Sequence, residues 1–182
     1  MSASILLIGG CTDGAEVGAL RSIEEVTFQR TSSGLNISSR LECSGVVIGG
    51  FNGTDCLKTM ELFRLNNDQI ALKRLDDIPF RLKNSVAAAV DNDSILLFGG
   101  WDEARTMRTV FRLKFNKEKW SYNIYMESLL PYEVEAHCCV YHKGYIYIIG
   151  GYDGVSVVNT IIRYSVDERT CEQWGPENDE DK

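Results

Sequence analysis

The residues of this chain best suited to chemistry are gathered in one stretch, HCCVYH at 137–142. Histidine and cysteine side by side suggest metal ligation or a base-assisted thiolate. Read as a strand, however, the segment alternates. His137, Cys139 and Tyr141 face one way, while Cys138, Val140 and His142 face the other. The two histidines then cannot share one ion, and no second Cys/His pair stands at zinc spacing. They are the only two histidines among 182 residues, which leaves little material for acid–base catalysis. Cys11, Cys43 and Cys171 lack a histidine nearby in sequence. No P-loop or dinucleotide-binding glycine fingerprint is present, and GAEVG (14–18) lies in no long apolar segment. The expectation is no catalytic residue, no metal and no cofactor.

The bulk composition narrows the partners. With 44% apolar and 25% charged residues the chain has the make-up of a globular protein. A net charge of −7, with Lys and Arg scattered singly, argues against a nucleic-acid surface, which needs a basic stripe. The opening MSASILLIGG has no basic n-region, and its apolar run is too short for a signal segment or a membrane span. The six cysteines (11, 43, 56, 138, 139, 171) form no regular framework, and adjacent Cys138 and Cys139 point to opposite strand faces. Reduced thiols and a cytoplasmic location are expected, so the sequons at Asn36, Asn52 and Asn92 carry no glycan. ENDEDK (177–182) reads as a solvated acidic tail.

The elements that would position any site are repeated. SILLIGGCTDG (4–14), GVVIGGFNG (45–53), SILLFGGWDE (94–103) and YIYIIGGYDG (145–154) are one pattern written four times. The diglycines fall at 9–10, 49–50, 99–100 and 150–151, spacings of 40, 50 and 51. Thirteen residues beyond the second glycine stand Phe63, Leu113 and Tyr164; seven further on stand Ile70, Trp120 and Cys171. Upstream, 85–100 and 136–151 match without a gap. Each complete unit therefore predicts four short strands: an apolar one, one ending in Gly-Gly, one bearing Phe, Leu or Tyr, and one bearing Trp or its substitute. The glycines suit a turn with positive φ where backbones approach closely, and the large residues of strands three and four are expected to fill the space between sheets.

This unit resembles the Kelch repeat: an apolar strand, a diglycine, an aromatic, then a Trp some seven residues on. The resemblance implies an all-β, Kelch-type β-propeller, here partial, with about three to four four-stranded blades, the first two incomplete. The propeller region is placed at 3–175, with units at about 3–39 (partial), 40–79 (shortened), 80–130 and 131–175, and the acidic tail at 176–182. In the second unit Ile70 stands for the Trp; in the last, Cys171 does, with Trp174 out of register.

Kelch propellers commonly bind partners through two loop sets at one mouth of the channel. The loops after the diglycines offer Phe51, Asn52, Trp101, Asp102, Tyr152 and Asp153. The loops entering each apolar strand offer Arg81, Lys83, Asn84 and Glu135. Each residue also has a plainer use. Phe51 and Tyr152 can pack beneath their turns, Asp102 and Asp153 can bond to their own turn backbone, and Trp120 suits the core. The resemblance implies a non-catalytic protein-interaction module. Joined to a BTB domain, such a module recognises substrates for a cullin-type ubiquitin ligase. Other implied options are an actin or cytoskeletal binder, a truncated fragment without function, or, least in keeping with two histidines, a propeller oxidase or sugar isomerase. A protein or peptide partner is expected, no membrane or nucleic acid, and self-association is an option for completing the ring.

Overall fold

A computed structural model of the chain describes residues 2–11, 19–31, 34–40, 43–66, 69–91, 93–116, 119 and 121–174, with 2–44 and 64–70 as backbone. Among the described residues fourteen strands form four sheets in chain order. The described chain divides into two compact bodies.

The first body holds two three-stranded sheets, apart from a few strand-end residues. One is the antiparallel meander β1 (Ser2–Cys11), β2 (Ala19–Thr31) and β3 (Gly34–Arg40). Here the strand runs on through Gly9–Gly10, with a register shift between Ile8 and Gly10. The other runs β4 (Cys43–Ile48), β5 (Met60–Asn66) and β6 (Gln69–Leu75). Among the described residues this sheet has three strands, with no apolar strand paired ahead of the diglycine strand as there is in the later sheets. Phe63 is buried in it, its ring 2.8 Å from where a Cβ on Gly45 would stand.

The second body holds the two complete blades and the loops 49–59 and 76–85. One blade is β7 (Val86–Ala89), β8 (Ser94–Phe98), β9 (Thr109–Asn116) and β10 (Ser121–Leu129). The other is β11 (Cys138–His142), β12 (Tyr145–Ile149), β13 (Ile161–Ser165) and β14 (Thr170–Trp174). Both are sequential antiparallel meanders. They pack face to face. Ala88, Leu96, Phe98 and Val110 of the first meet Ile146, Ile148, Ile162 and Tyr164 of the second, with Leu130 and Val134 closing the end. Each large apolar side chain buried there is worth about 1.5–3 kcal/mol. The Phe98 and Tyr164 rings meet edge-on at 5.4 Å.

The strand-three positions read from the register, Phe63, Leu113 and Tyr164, are all buried. Of the strand-four positions, Cys171 is the one whose side chain lies among the described residues. Cys171 is half-buried and its thiol donates to the Leu129 carbonyl at 3.1 Å. Trp174 instead lies on the outer face of the last blade, 43% exposed, beside Tyr147 and Arg163. Trp120 and the tail at 176–182 lie outside the described residues.

The third diglycine shows why no larger residue serves there. Gly99 (φ 52°) would place a Cβ 2.2 Å from the Val134 carbonyl oxygen, and Gly100 (φ 95°) one 2.8 Å from that of Lys83. Their N–H groups divide the work. Gly99 donates within its blade to Thr109, and Gly100 donates to Val134, in the loop that enters the next blade.

Candidate functional site: the interlocked loop face

Three described loops that follow diglycines share one construction. An aromatic residue bridges back to the residue five positions on: Phe51 to Cys56, Trp101 to Thr106, Tyr152 to Val157. The next residue is an Asx cap. Asn52 Oδ1 accepts the Thr54 and Asp55 N–H groups at 2.9 and 2.7 Å. Asp102 Oδ1 accepts those of Ala104 and Arg105, both at 2.9 Å. Asp153 Oδ1 accepts those of Val155 and Ser156 at 2.8 and 2.7 Å. These hydrogen bonds hold the Asp153 carboxyl below its usual range. Asn52, Asp102 and Asp153 thus shape the loops, the plainer of the two uses read from sequence.

The aromatic residues do not pack beneath their turns. Phe51 is 52% and Tyr152 37% exposed. Trp101 is partly covered by Lys83, whose ammonium lies 4.5 Å from the Trp101 ring centre and 4.8 Å from that of Phe51. Lys83 and Trp101 also pair backbone to backbone, as do Glu135 and Tyr152. The two loop sets therefore form one surface.

Side chains lace this surface across the blades. Asn84 Nδ2 donates to Glu135 Oε2 at 2.8 Å, and Thr106 Oγ1 donates to Glu135 Oε1 at 2.9 Å. Arg81 pairs with Glu103 at 3.2 Å and donates to the Cys56 carbonyl. The Cys56 N–H in turn donates to Glu103 Oε1 at 3.0 Å. All ten residues proposed from sequence lie in these loops. Arg81, Lys83, Asn84 and Glu135 reach between them, and Phe51, Trp101 and Tyr152 supply the exposed rings.

Sequence reasoning missed Glu103. It holds φ 78° where Gly53 and Gly154 hold 98° and 94° in the sister loops. A non-glycine residue there is strained by about 1–3 kcal/mol, and its carboxylate is what ties the loop to Arg81 and Cys56. The available signal was the break in the Asn-Gly/Asp-Gly pattern at Asp102–Glu103.

HCCVYH is not a site of this kind. His137 precedes the strand rather than lying on it. It is buried, and neither ring nitrogen has a hydrogen-bond partner among the described residues. Burial pushes its pKa down to about 4; the nearby Phe98 and Glu135 carbonyls oppose the shift without bonding the ring in good geometry. Cys139 turns its thiol to the Ala87 carbonyl, and burial pushes its pKa up to about 11. Among the described residues no three His, Cys, Asp or Glu side chains gather where they could hold a metal ion, and no helix is long and apolar enough to cross a membrane.

Comparison with known proteins agrees with this architecture. A solved structure, that of YjhT, superimposes with a TM-score of 0.54 at 11% identity, over 75% of this chain and 52% of the other. At that identity the likeness speaks for the fold, and the chain spans about half the length of that structure. The model of the KLHDC2/KLHL20/DRC7 Kelch-repeats domain matches residues 3–181. The four repeats, the all-β sheets and that match together place the chain in the Kelch-repeat family, as part of a Kelch β-propeller.

Proposed function

We propose that the chain is a non-catalytic protein-interaction module whose loop face holds a peptide segment of a partner protein. One observation carries this reading: Lys83 sits over both Phe51 and Trp101, so loops from different repeats present one aromatic and charged surface. Exposed rings at a rigid surface are the usual anchors of binding energy. The setting proposed is a reducing one such as the cytoplasm, in keeping with four free cysteines among the described residues. Substrate recognition for a cullin-type ligase, with a BTB domain supplied in the same protein, is the finer role we favour over cytoskeletal binding. The test is selection of displayed random peptides on the full chain. Peptides should emerge whose binding is lost in Trp101→Ala and kept in His142→Ala. Failure to select any, or binders indifferent to Trp101→Ala, overturns the reading.

A second reading, self-association, has its own observation. Val140, Tyr147, Ile149 and Ile161 line the outer face of the last blade and repeat Ala88, Leu96, Phe98 and Val110 by register. Those four are buried against a neighbouring sheet, whereas Val140 and Ile149 are 51% and 44% exposed. A second copy covering this face would give a discrete dimer by light scattering, abolished by Ile161→Asp; a monomer at every concentration contradicts it.

A further inference from the structure

At the strand ends remote from the loop face, the two complete blades leave a cleft of about 300 Å³. Its most buried cation is Arg112 on β9, whose side chain is 10% exposed. Two of its nitrogens, Nε and Nη2, are spent on Glu127, which also accepts the Tyr164 hydroxyl. The third, Nη1, has the Asp91 carboxylate at 3.9 Å, beyond hydrogen-bond reach. Asp91 is itself engaged, its Oδ1 accepting the Asp93 N–H at 2.8 Å. Arg112 thus lines the cleft with one guanidinium nitrogen, Nη1, that is only loosely paired and makes no hydrogen bond among the described residues.

Two more cations stand around it. Lys114 lies two residues along β9 from Arg112, on the same sheet face, and Arg169 comes from the β13–β14 turn of the next blade. Both side chains are without an ion pair or hydrogen bond among the described residues. Tyr125 and Ser94 line the same space. Of the carboxylates at the cleft, Asp91 is engaged as above, and Asp167 alone is not. Three cationic side chains line the cleft against two carboxylates, and the volume is in the range of a small-molecule site.

We infer that this inter-blade cleft is a site for a small oxyanion, a phosphate or carboxylate group, anchored on Arg112 Nη1 and flanked by Lys114 and Arg169. Arginine at the floor provides the planar donor geometry such a group prefers, and the lysine adds a point charge. The inference is independent of the loop face, whose residues lie at the other end of the blades.

The test uses the full chain and two probes, sodium phosphate and sodium succinate, titrated against its thermal midpoint at ionic strength held constant with chloride. A saturable rise in the midpoint with one or both probes is expected, and which of them acts identifies the oxyanion. Lys114→Ala and Arg169→Ala, exposed positions whose folding is checked by circular dichroism, should each weaken the apparent affinity by about tenfold, one charge-assisted hydrogen bond. Asp167→Asn should strengthen it by removing a like charge. A rise that never saturates and is equal in all variants is a general effect of excluded salts and overturns the inference. So does a saturable rise that survives both alanine variants or vanishes in Lys83→Ala.

Discussion

Lys83 and Glu135 hold the same place in successive loops and carry opposite charge. Each pairs its backbone with the ring residue after a diglycine, Trp101 for Lys83 and Tyr152 for Glu135. Their surroundings differ in kind. Glu135 has both oxygens occupied, by Asn84 and Thr106, while the Lys83 ammonium rests on two rings. Lys83 is therefore the group more ready to engage a partner. For peptides selected on the chain, Lys83→Glu should weaken binding by about tenfold or more, and Lys83→Arg, which keeps charge and ring contact, by much less. Equal effects of the two substitutions would show that charge at this position is unused.

Glu103 sets a test of preorganisation. Glu103→Gly removes the cost of φ 78° together with the carboxylate, so global stability should stay within about 1 kcal/mol of the parent. The local effect should be larger, because the Cys56 N–H loses its acceptor. Hydrogen exchange at Cys56 should accelerate by about tenfold. Glu103→Ala keeps the strain and loses the contacts, and is expected to be the less stable of the two.

His137 makes stability pH-dependent. Its folded pKa of about 4 lies below the unfolded value of 6.5, so the unfolded chain binds the extra proton between those limits. Stability should be full above 6.5, fall as pH drops from there through about 4, and level off below. The loss from this group is at most ~3 kcal/mol. His137→Phe should flatten that part of the profile. It should also raise stability at neutral pH by about 1 kcal/mol or more, since it removes two buried nitrogens that have no hydrogen-bond partner among the described residues. Urea unfolding at a series of pH values reads both effects.

Tyr164 and Glu127 join the two complete blades, with the hydroxyl donating at 2.6 Å. Burial alone would raise the Glu127 carboxyl pKa, but hydrogen bonds from Arg112 and Tyr164 reverse this and hold it below its usual range. Tyr164→Phe should cost about 1–3 kcal/mol. Glu127→Leu strands the Arg112 charge and should cost about 3–5 kcal/mol, whereas adding Arg112→Leu should restore much of it. Strictly additive losses would contradict the coupled network.

Much of this fold is legible in the sequence because it depends on residues close together in the chain. The diglycine register found the second strand of each unit, and it found Phe63, Leu113 and Tyr164 as buried. The Asn-Gly and Asp-Gly pairs announced Asx-capped turns. What the sequence does not display depends on how one blade meets the next. Lys83 joins Phe51 to Trp101 only because a second-glycine N–H, such as that of Gly50 to Leu82, holds the following loop against the diglycine turn. Glu103 is legible only as a departure from its sister loops. Alternation from sequence puts His137 on the strand, opposite in facing to Cys138; it stands just before the strand, following Ala136 at φ 52°, and alternation does not apply there. Trp174 was visibly out of register, and it indeed packs on the outer face rather than in the core.

The central claim is that partners bind the face built from the two interlocked loop sets. Hydrogen exchange of the full chain, with and without its tightest selected peptide, tests it most directly. Protection should rise in 51–57, 81–84, 101–107 and 152–158. Protection confined to the opposite strand ends, at Lys143–Gly144 and Asp167–Arg169, would contradict it.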